Sequence, residues 1–211
     1  GFLSGKGKSF YQGKVLGQPN QPVCFFKKIC QACFQEIRLV NFNSEHFQNR
    51  PHSDEFDPFY SGYVAKVDGN QILGILESQI SKIRISLSNL TEETAQEVHA
   101  PYRWTIKQVL GHLIDGEKVF GYRLHRFASG DQTVLSGFDQ GPYVDQLDYQ
   151  KPLVGDLLKE LDFSRQSNLM FLKRLPPDYE MRTGIASGSQ FSVMALAFIL
   201  AGHVTHHFDI V

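Results

Sequence analysis

Four long segments of this chain repeat their apolar residues every three or four positions, which is the period of an α-helix buried on one face. They cover about residues 70–90, 105–128, 153–175 and 190–208. A polar connection, residues 129–150, separates the second segment from the third, and no convincing pair of strands accompanies them. Four helices with one long loop predict an all-α four-helix bundle over residues 51–211.

The second helical segment has the clearest start signal in the chain. Thr105 and Gln108 fit a capping box, in which the threonine hydroxyl accepts a hydrogen bond from the amide three residues on and the glutamine side chain reaches back. Counted from that cap, Val109, His112 and Gly116 share one face. His112 is therefore predicted to face inwards, either as a hydrogen-bonded core residue or as a metal ligand.

The last helical segment carries an apolar stripe that runs into two histidines. The stripe consists of Val193, Leu196 and Leu200. Continued at the same spacing, it reaches His203 and His207. Residues four apart on a helix lie roughly 6 Å apart along its axis, so both imidazoles can bind one ion, as the paired histidines of a helical HExxH motif bind zinc. His206 is the competitor, about 100° off the stripe. The alternative is that these histidines are polar residues at a fraying C-terminus.

Two carboxylates near His112 are candidate catalytic residues. Asp115 lies one turn beyond it, where a carboxylate can orient the imidazole or face a substrate, and Glu117 lies on an adjacent face. The alternative is that both are solvated acids on a helix surface. Arg123 and Arg126, further along, are interpreted as surface residues.

The connection between the second and third helical segments is long enough to be a functional wall or lid. Phe138, Asp139 and Tyr143 are its members best able to line a cleft.

Residues 1–50 differ from the remainder and are predicted to be an extension of unknown role, without a sustained helical or strand period. They contain seven Lys and Arg against two Asp and Glu, which leaves the remaining residues net negative. Their Cys30-x-x-Cys33 pair could begin a zinc site, but no second pair follows. The three cysteines of the chain suggest a reducing, cytoplasmic compartment, and no secretory signal or membrane span is expected.

Two stretches carry a resemblance to a known family. Trp104-Thr-Ile-Lys-Gln-Val-Leu-Gly-His112-Leu-Ile-Asp-Gly-Glu117 and Gly202-His203-Val-Thr-His206-His207 resemble the DinB/YfiT-like superfamily of metal-dependent enzymes. The resemblance covers about residues 51–211. It implies an up-down-down-up bundle with a divalent metal held by three histidines. Carried over, those are His112, His203 and His207, the three that the periodicity also turns inwards.

The resemblance further implies an enzyme in which the metal activates a low-molecular-weight thiol cosubstrate for S-transfer. The alternatives are a hydrolase using metal-bound hydroxide and a non-catalytic metal-binding bundle. Zinc, nickel and iron all suit imidazole ligands. The expected partners are a small-molecule substrate and a second copy of the chain in a homodimer through the first and last long helices. Nucleic-acid binding is not expected of an acidic main domain without a basic stripe.

Overall fold

The computed structural model describes residues 47–98 and 103–209. Within them the helices are α1 (Ser61–Ala65), α2 (Ile72–Ser86), α3 (Ile106–Ala128), α4 (Gln140–Gln146), α5 (Val154–Lys173) and α6 (Val193–Phe208). The strands β1 (Thr183–Ala186) and β2 (Ser189–Ser192) form one antiparallel hairpin. No helix of the described residues has the length and apolar character needed to cross a membrane.

The long helices α2, α3, α5 and α6 form the bundle. Both α2 and α3 pack against α5 and α6. Helices α2 and α3, which follow each other in the chain, therefore lie diagonally opposite each other in the bundle. Helix α6 is apolar on all sides and is buried continuously from Val193 to Val204. The four helical segments predicted from the sequence are thus confirmed, with ends that differ by a few residues.

The predicted capping box fixes the start of α3. The amide of Gln108 donates to the Thr105 hydroxyl at 3.2 Å, and the Gln108 side chain accepts from the Thr105 amide at 3.0 Å. Helix α6 is capped by Ser192, whose hydroxyl accepts from the Ala195 amide at 2.9 Å. Ser192 is also the last residue of β2, so α6 begins three residues later than the periodicity predicts.

The prediction that the chain lacks strand pairs was wrong for the segment before α6. Ser187 and Gly188 both have positive φ angles, 54° and 83°, and join β1 to β2 as a two-residue turn. Each strand has four residues, which is too short for an alternating pattern to stand out. The long loop is attached to this hairpin, because the Leu135 amide donates to the Ile185 carbonyl at 2.9 Å.

Gly202 allows α6 to lie directly on α1, and alanine at this position is expected to be destabilising. A β-carbon there would lie 1.9 Å from the backbone oxygen of Tyr63, so the two helices would have to separate. We expect Gly202→Ala to lower the free energy of unfolding by about 1–3 kcal/mol or more, measured by urea denaturation. Gly74→Ala in α2 is the matched control: with no atom near the added methyl group it should be stabilising, by about 0.5–1 kcal/mol. Equal effects of the two substitutions would contradict this explanation.

The predicted extension at residues 1–50, including Cys24, Cys30 and Cys33, lies mostly outside the described residues. Its role and its boundary with the bundle stay predictions. The described residues begin at Phe47, whose ring is buried in the same apolar cluster as residues of α6.

Candidate metal centre

Three histidine rings meet between α3 and α6, each almost completely buried. The ring centres of His112, His203 and His207 form a triangle with all three sides 4.7 Å long. The Nε2 atoms of His112 and His203 are 2.8 Å apart, and one nitrogen from each ring lies within 4.8 Å of the other two. Among the described residues, these three are the group of His, Cys, Asp or Glu side chains arranged to hold a metal ion.

The backbone around the cluster explains how the rings come so close. His203 and His207 are one turn apart on α6, as the stripe predicts, and His112 faces them from the second turn of α3. Gly116 follows His112 by one turn, and a β-carbon there would lie 2.9 Å from the His203 ring. The glycine therefore lets the imidazole lie against the α3 backbone. His206 is not part of the triangle, and its ring contacts those of Tyr63 and His207, with 5.1 Å and 5.0 Å between centres.

The three imidazoles are neutral at physiological pH. Burial is the main cause that lowers the pKa of His112 to about 4 and that of His207 to about 3, with repulsion between the histidines adding to it. Burial also lowers the pKa of His203 far below its usual value. Neutral imidazoles keep the lone pairs that a metal needs, so protons do not compete with a cation at neutral pH.

The donor set fits a divalent transition metal. Two ring nitrogens of different histidines face each other at 2.8 Å in a site without carboxylate or thiolate, and imidazole is a preferred ligand of zinc, nickel and iron. The buried Nδ1 atom of His112 has no hydrogen-bond partner among the described residues. Aromatic rings of Trp104 and Phe120 flank the triangle, with centres 5.1 Å from that of His112 and 6.1 Å from that of His203.

Asp115 is buried next to this site, but its partner is a tyrosine. The Tyr149 hydroxyl donates to Asp115 Oδ1 at 2.6 Å. Because Gly111 has no β-carbon, the Tyr149 ring can lie directly against α3 at that position. Burial raises the pKa of the Asp115 carboxyl, while the tyrosine hydrogen bond opposes that rise. The other carboxylate oxygen, Oδ2, has no hydrogen-bond partner among the described residues.

Removing that hydroxyl with Tyr149→Phe should destabilise the protein in a pH-dependent way. The carboxylate would lose its donor, and we expect the free energy of unfolding to fall by about 1.5–3 kcal/mol at neutral pH. Since the Asp115 pKa is raised in the folded state, the loss should shrink as the pH falls through that pKa and the carboxyl becomes neutral. Urea denaturation at neutral and acid pH measures this, with Tyr143→Phe as control. The same loss at both pH values would contradict the explanation.

Glu117 is engaged in a buried ion pair. Arg165 on α5 donates to Glu117 Oε1 from Nε at 2.9 Å and from Nη2 at 2.5 Å, and Asn168 donates to Oε2 at 2.9 Å. Arg165 also donates to Gln79 Oε1 at 2.7 Å, and Gln79 donates to the Ala201 carbonyl at 2.8 Å. The network thereby joins α2, α3, α5 and α6. Neither Glu117 nor Asp115 hydrogen-bonds a histidine of the triangle in the described part of the chain, and their catalytic roles stay predictions.

Arg123 was wrongly interpreted as a surface residue. Its side chain is only 1% exposed, because the long loop and the β-hairpin cover the end of α3. Arg165 was not singled out at all. In both cases the signal was available: Arg123 continues the inward face of His112 and Gly116, and Arg165 stands between Leu161 and Leu169 on the inner face of α5.

A sequence model of the DinB superfamily matches residues 75–211. This chain belongs to the DinB superfamily. No curated protein matches it in sequence. The family assignment agrees with the resemblance inferred from the histidine motifs, which lie within the matched residues.

Solved structures confirm the fold of this DinB superfamily member. YfiT from Bacillus subtilis, described as a probable metal-dependent hydrolase with an unusual four-helix bundle topology, is similar with a TM-score of 0.61. It is 14% identical, and the match covers 81% of this chain and 93% of YfiT. The mycothiol-dependent maleylpyruvate isomerase is similar with a TM-score of 0.57 and 13% identity. That match covers 70% of this chain and 62% of the isomerase. The predicted all-α four-helix bundle fold class is therefore confirmed.

Proposed function

We propose that this protein is a metal-dependent enzyme in which His112, His203 and His207 bind one divalent cation and a low-molecular-weight thiol is activated for S-transfer. The observation that carries the proposal is the triangle of three buried, neutral imidazoles with 4.7 Å between ring centres. The names of the two similar structures support the metal and the thiol of this proposal. One is called a probable metal-dependent hydrolase, and the other is called a mycothiol-dependent isomerase. When bound, the cation supplies Lewis acidity and lowers the pKa of a water or thiol ligand.

The surroundings of the site favour a thiol over water as the nucleophile. A thiol has a pKa of about 8.5 and loses its proton on metal binding without help from a protein base. Of the two carboxylates that follow His112 on α3, Glu117 is paired with Arg165, and Asp115 accepts from Tyr149 through one of its oxygens. No cysteine lies in residues 51–211, so the main domain needs a thiol from elsewhere.

The chain's own residues provide a dry, oriented site. The helical spacing fixes His203 and His207 relative to each other, and the capped start of α3 fixes His112 opposite them. The rings of Trp104 and Phe120 limit access of water. These features position ligands and exclude competing hydrolysis, which is what a reactive thiolate requires.

The test is an assay of reconstituted protein with zinc, nickel or iron. An electrophilic aromatic halide is offered with glutathione, cysteine, bacillithiol or mycothiol, and an activated ester is offered without thiol. We expect thiol-dependent turnover in the wild type and in His206→Ala, and none above background in His203→Ala. Thiol-independent ester cleavage that needs the metal would favour the hydrolase. Full metal loading without turnover, and a saturated coordination sphere in the cobalt-substituted protein, would favour a non-catalytic bundle.

We also propose the homodimer through the first and last long helices. Helix α6 is covered by its own chain from Val193 to Val204, so α2 and the end of α6 are the surfaces available for it. Light scattering of the purified protein measures the mass directly, and a monomeric mass at assay concentration would remove the dimer from the proposal.

A further inference from the structure

Arg123 is a buried guanidinium without a counter-charge in the described residues. Its Nη2 atom donates to Ser187 Oγ at 2.9 Å and, at 3.4 Å, to the Ser136 carbonyl. Its Nη1 atom is buried and has no hydrogen-bond partner, and no carboxylate of residues 47–98 and 103–209 forms an ion pair with it. A buried charge is costly unless it is paired, so this one needs an explanation.

Other buried cations of the described chain have the carboxylate partner that Arg123 lacks. Arg165 is paired with Glu117, and the Lys107 ammonium lies 3.2 Å from Glu92. Both are as deeply buried as Arg123. The fold therefore supplies a carboxylate to these buried cations and leaves the guanidinium of Arg123 with an open donor.

Arg123 forms part of the wall of a cavity of about 470 Å³. The other walls are mostly aromatic or aliphatic and include Tyr122, Phe138, Tyr143 and Leu135. Phe138 and Tyr143 are two of the three loop residues that the sequence predicts to line a cleft. The volume lies in the range of small-molecule pockets, and an apolar wall with one convergent charge is typical of them.

The charge of the cavity suits a monoanion. Lys118 also lines it, but its ammonium is paired with Glu160 at 2.7 Å. Arg123 is therefore the cation of this lining that has no carboxylate partner among the described residues, and its single charge matches one negative charge of a ligand. A guanidinium also matches a carboxylate in geometry, because its parallel N–H groups reach both oxygens.

One aromatic ring, that of Phe120, contacts both Arg123 in the cavity wall and His203 of the histidine triangle. The Arg123 guanidinium carbon lies 5.7 Å from the centre of the Phe120 ring. That ring is 6.1 Å from the His203 ring and 6.5 Å from the Phe138 ring. Arg123 and His203 thus contact the same aromatic side chain.

We propose that this cavity binds the carboxylate of a small organic monoanion with a flat, apolar body, and that Arg123 is its counter-ion. Binding itself requires no metal. That the carboxylate belongs to the substrate of the metal site rests on the function proposed above, and defines the substrate class as a carboxylic acid with an apolar, aromatic or aliphatic body.

Calorimetric titration with benzoate tests the site, with benzamide as a neutral probe of the same shape. We expect wild-type protein to bind benzoate at least about tenfold more tightly than benzamide. Arg123→Met should weaken benzoate binding by about 10- to 100-fold. Arg84→Met, which removes a guanidinium that does not line the cavity, should leave benzoate affinity unchanged. Arg123→Lys keeps the charge and should retain intermediate affinity, which covers the case in which the methionine variant fails to fold.

Several outcomes would overturn the proposal. They are equal binding of benzamide and benzoate, benzoate affinity weaker than about 10 mM, or unchanged benzoate affinity in Arg123→Met. Inorganic phosphate that binds more tightly than benzoate, with the same dependence on Arg123, would assign the site to phosphate. Two samples of wild type separate the two proposals: chelator-treated protein tests benzoate binding, which requires no metal, and metal-reconstituted protein tests turnover. Benzoate binding in the first sample with no turnover in the second would leave the carboxylate site standing and remove the enzyme; turnover in the second sample without benzoate binding in the first would remove the carboxylate site alone.

Discussion

Replacing His203 with alanine is expected to remove the metal, whereas His206→Ala should leave it in place. The two histidines lie one turn or less apart on α6, but only His203 is part of the triangle with His112 and His207. Loss of a hydrogen-bond partner of a metal-bound histidine typically costs about 10–100-fold in affinity, and loss of the ligand itself should cost more. Elemental analysis of untagged protein should give near one equivalent per chain for wild type and His206→Ala, and almost none for His203→Ala.

The same variants should differ in thermal stability. A ligand that binds only the folded state stabilises it by about 2.7 kcal/mol at a concentration of 100 times Kd. Chelation should therefore lower the Tm of wild type and His206→Ala and leave that of His203→Ala unchanged. Because the histidine pKa values are lowered, this difference should persist at mildly acid pH, where ordinary histidines are protonated. Equal metal content and equal chelator response in all three proteins would identify the triangle as core histidines.

The helices and the histidine cluster could be predicted because both follow from the helical period. The capping box at Thr105 sets the phase of α3, and that phase alone turns His112 inwards. On α6, the apolar stripe favours His207 over His206, and the structure brings His207 into the triangle. Such inferences need only the geometry of one helix at a time.

The polar interior could not be predicted in this way. Helix phase places Arg123 and Arg165 on inward faces, but a charged residue on a helix is exposed in most proteins, so phase alone does not predict their burial. Their burial depends on partners far away in the chain. Arg123 donates to Ser187 in the hairpin, and Arg165 donates to Glu117 and Gln79. The hairpin itself has strands too short to show a pattern. Long-range pairing of this kind appears only in the folded structure.

Arg165→Met is expected to be the most destabilising substitution in the bundle. The pair with Glu117 is 1% exposed on both sides, and removing one partner leaves a buried carboxylate without its counter-charge. Breaking a buried pair in this way costs about 3–5 kcal/mol, which urea denaturation measures as a loss in the free energy of unfolding. The control is Lys151→Met, whose side chain is 83% exposed in its pair with Asp148, itself 48% exposed, and it should leave the free energy of unfolding almost unchanged.

The double variant Glu117→Gln, Arg165→Met decides what Glu117 is for. It removes both charges while the neutral amide can still accept the hydrogen bond from Asn168, so most of the stability lost in Arg165→Met should return. If Glu117 serves only to pair with Arg165, the double variant should also bind metal and turn over substrate like wild type. Recovered stability and metal content with lost turnover would instead support the predicted catalytic role of Glu117. Failure to recover stability would mean that the network through Gln79 to Ala201, rather than the charge pair, holds the four helices together.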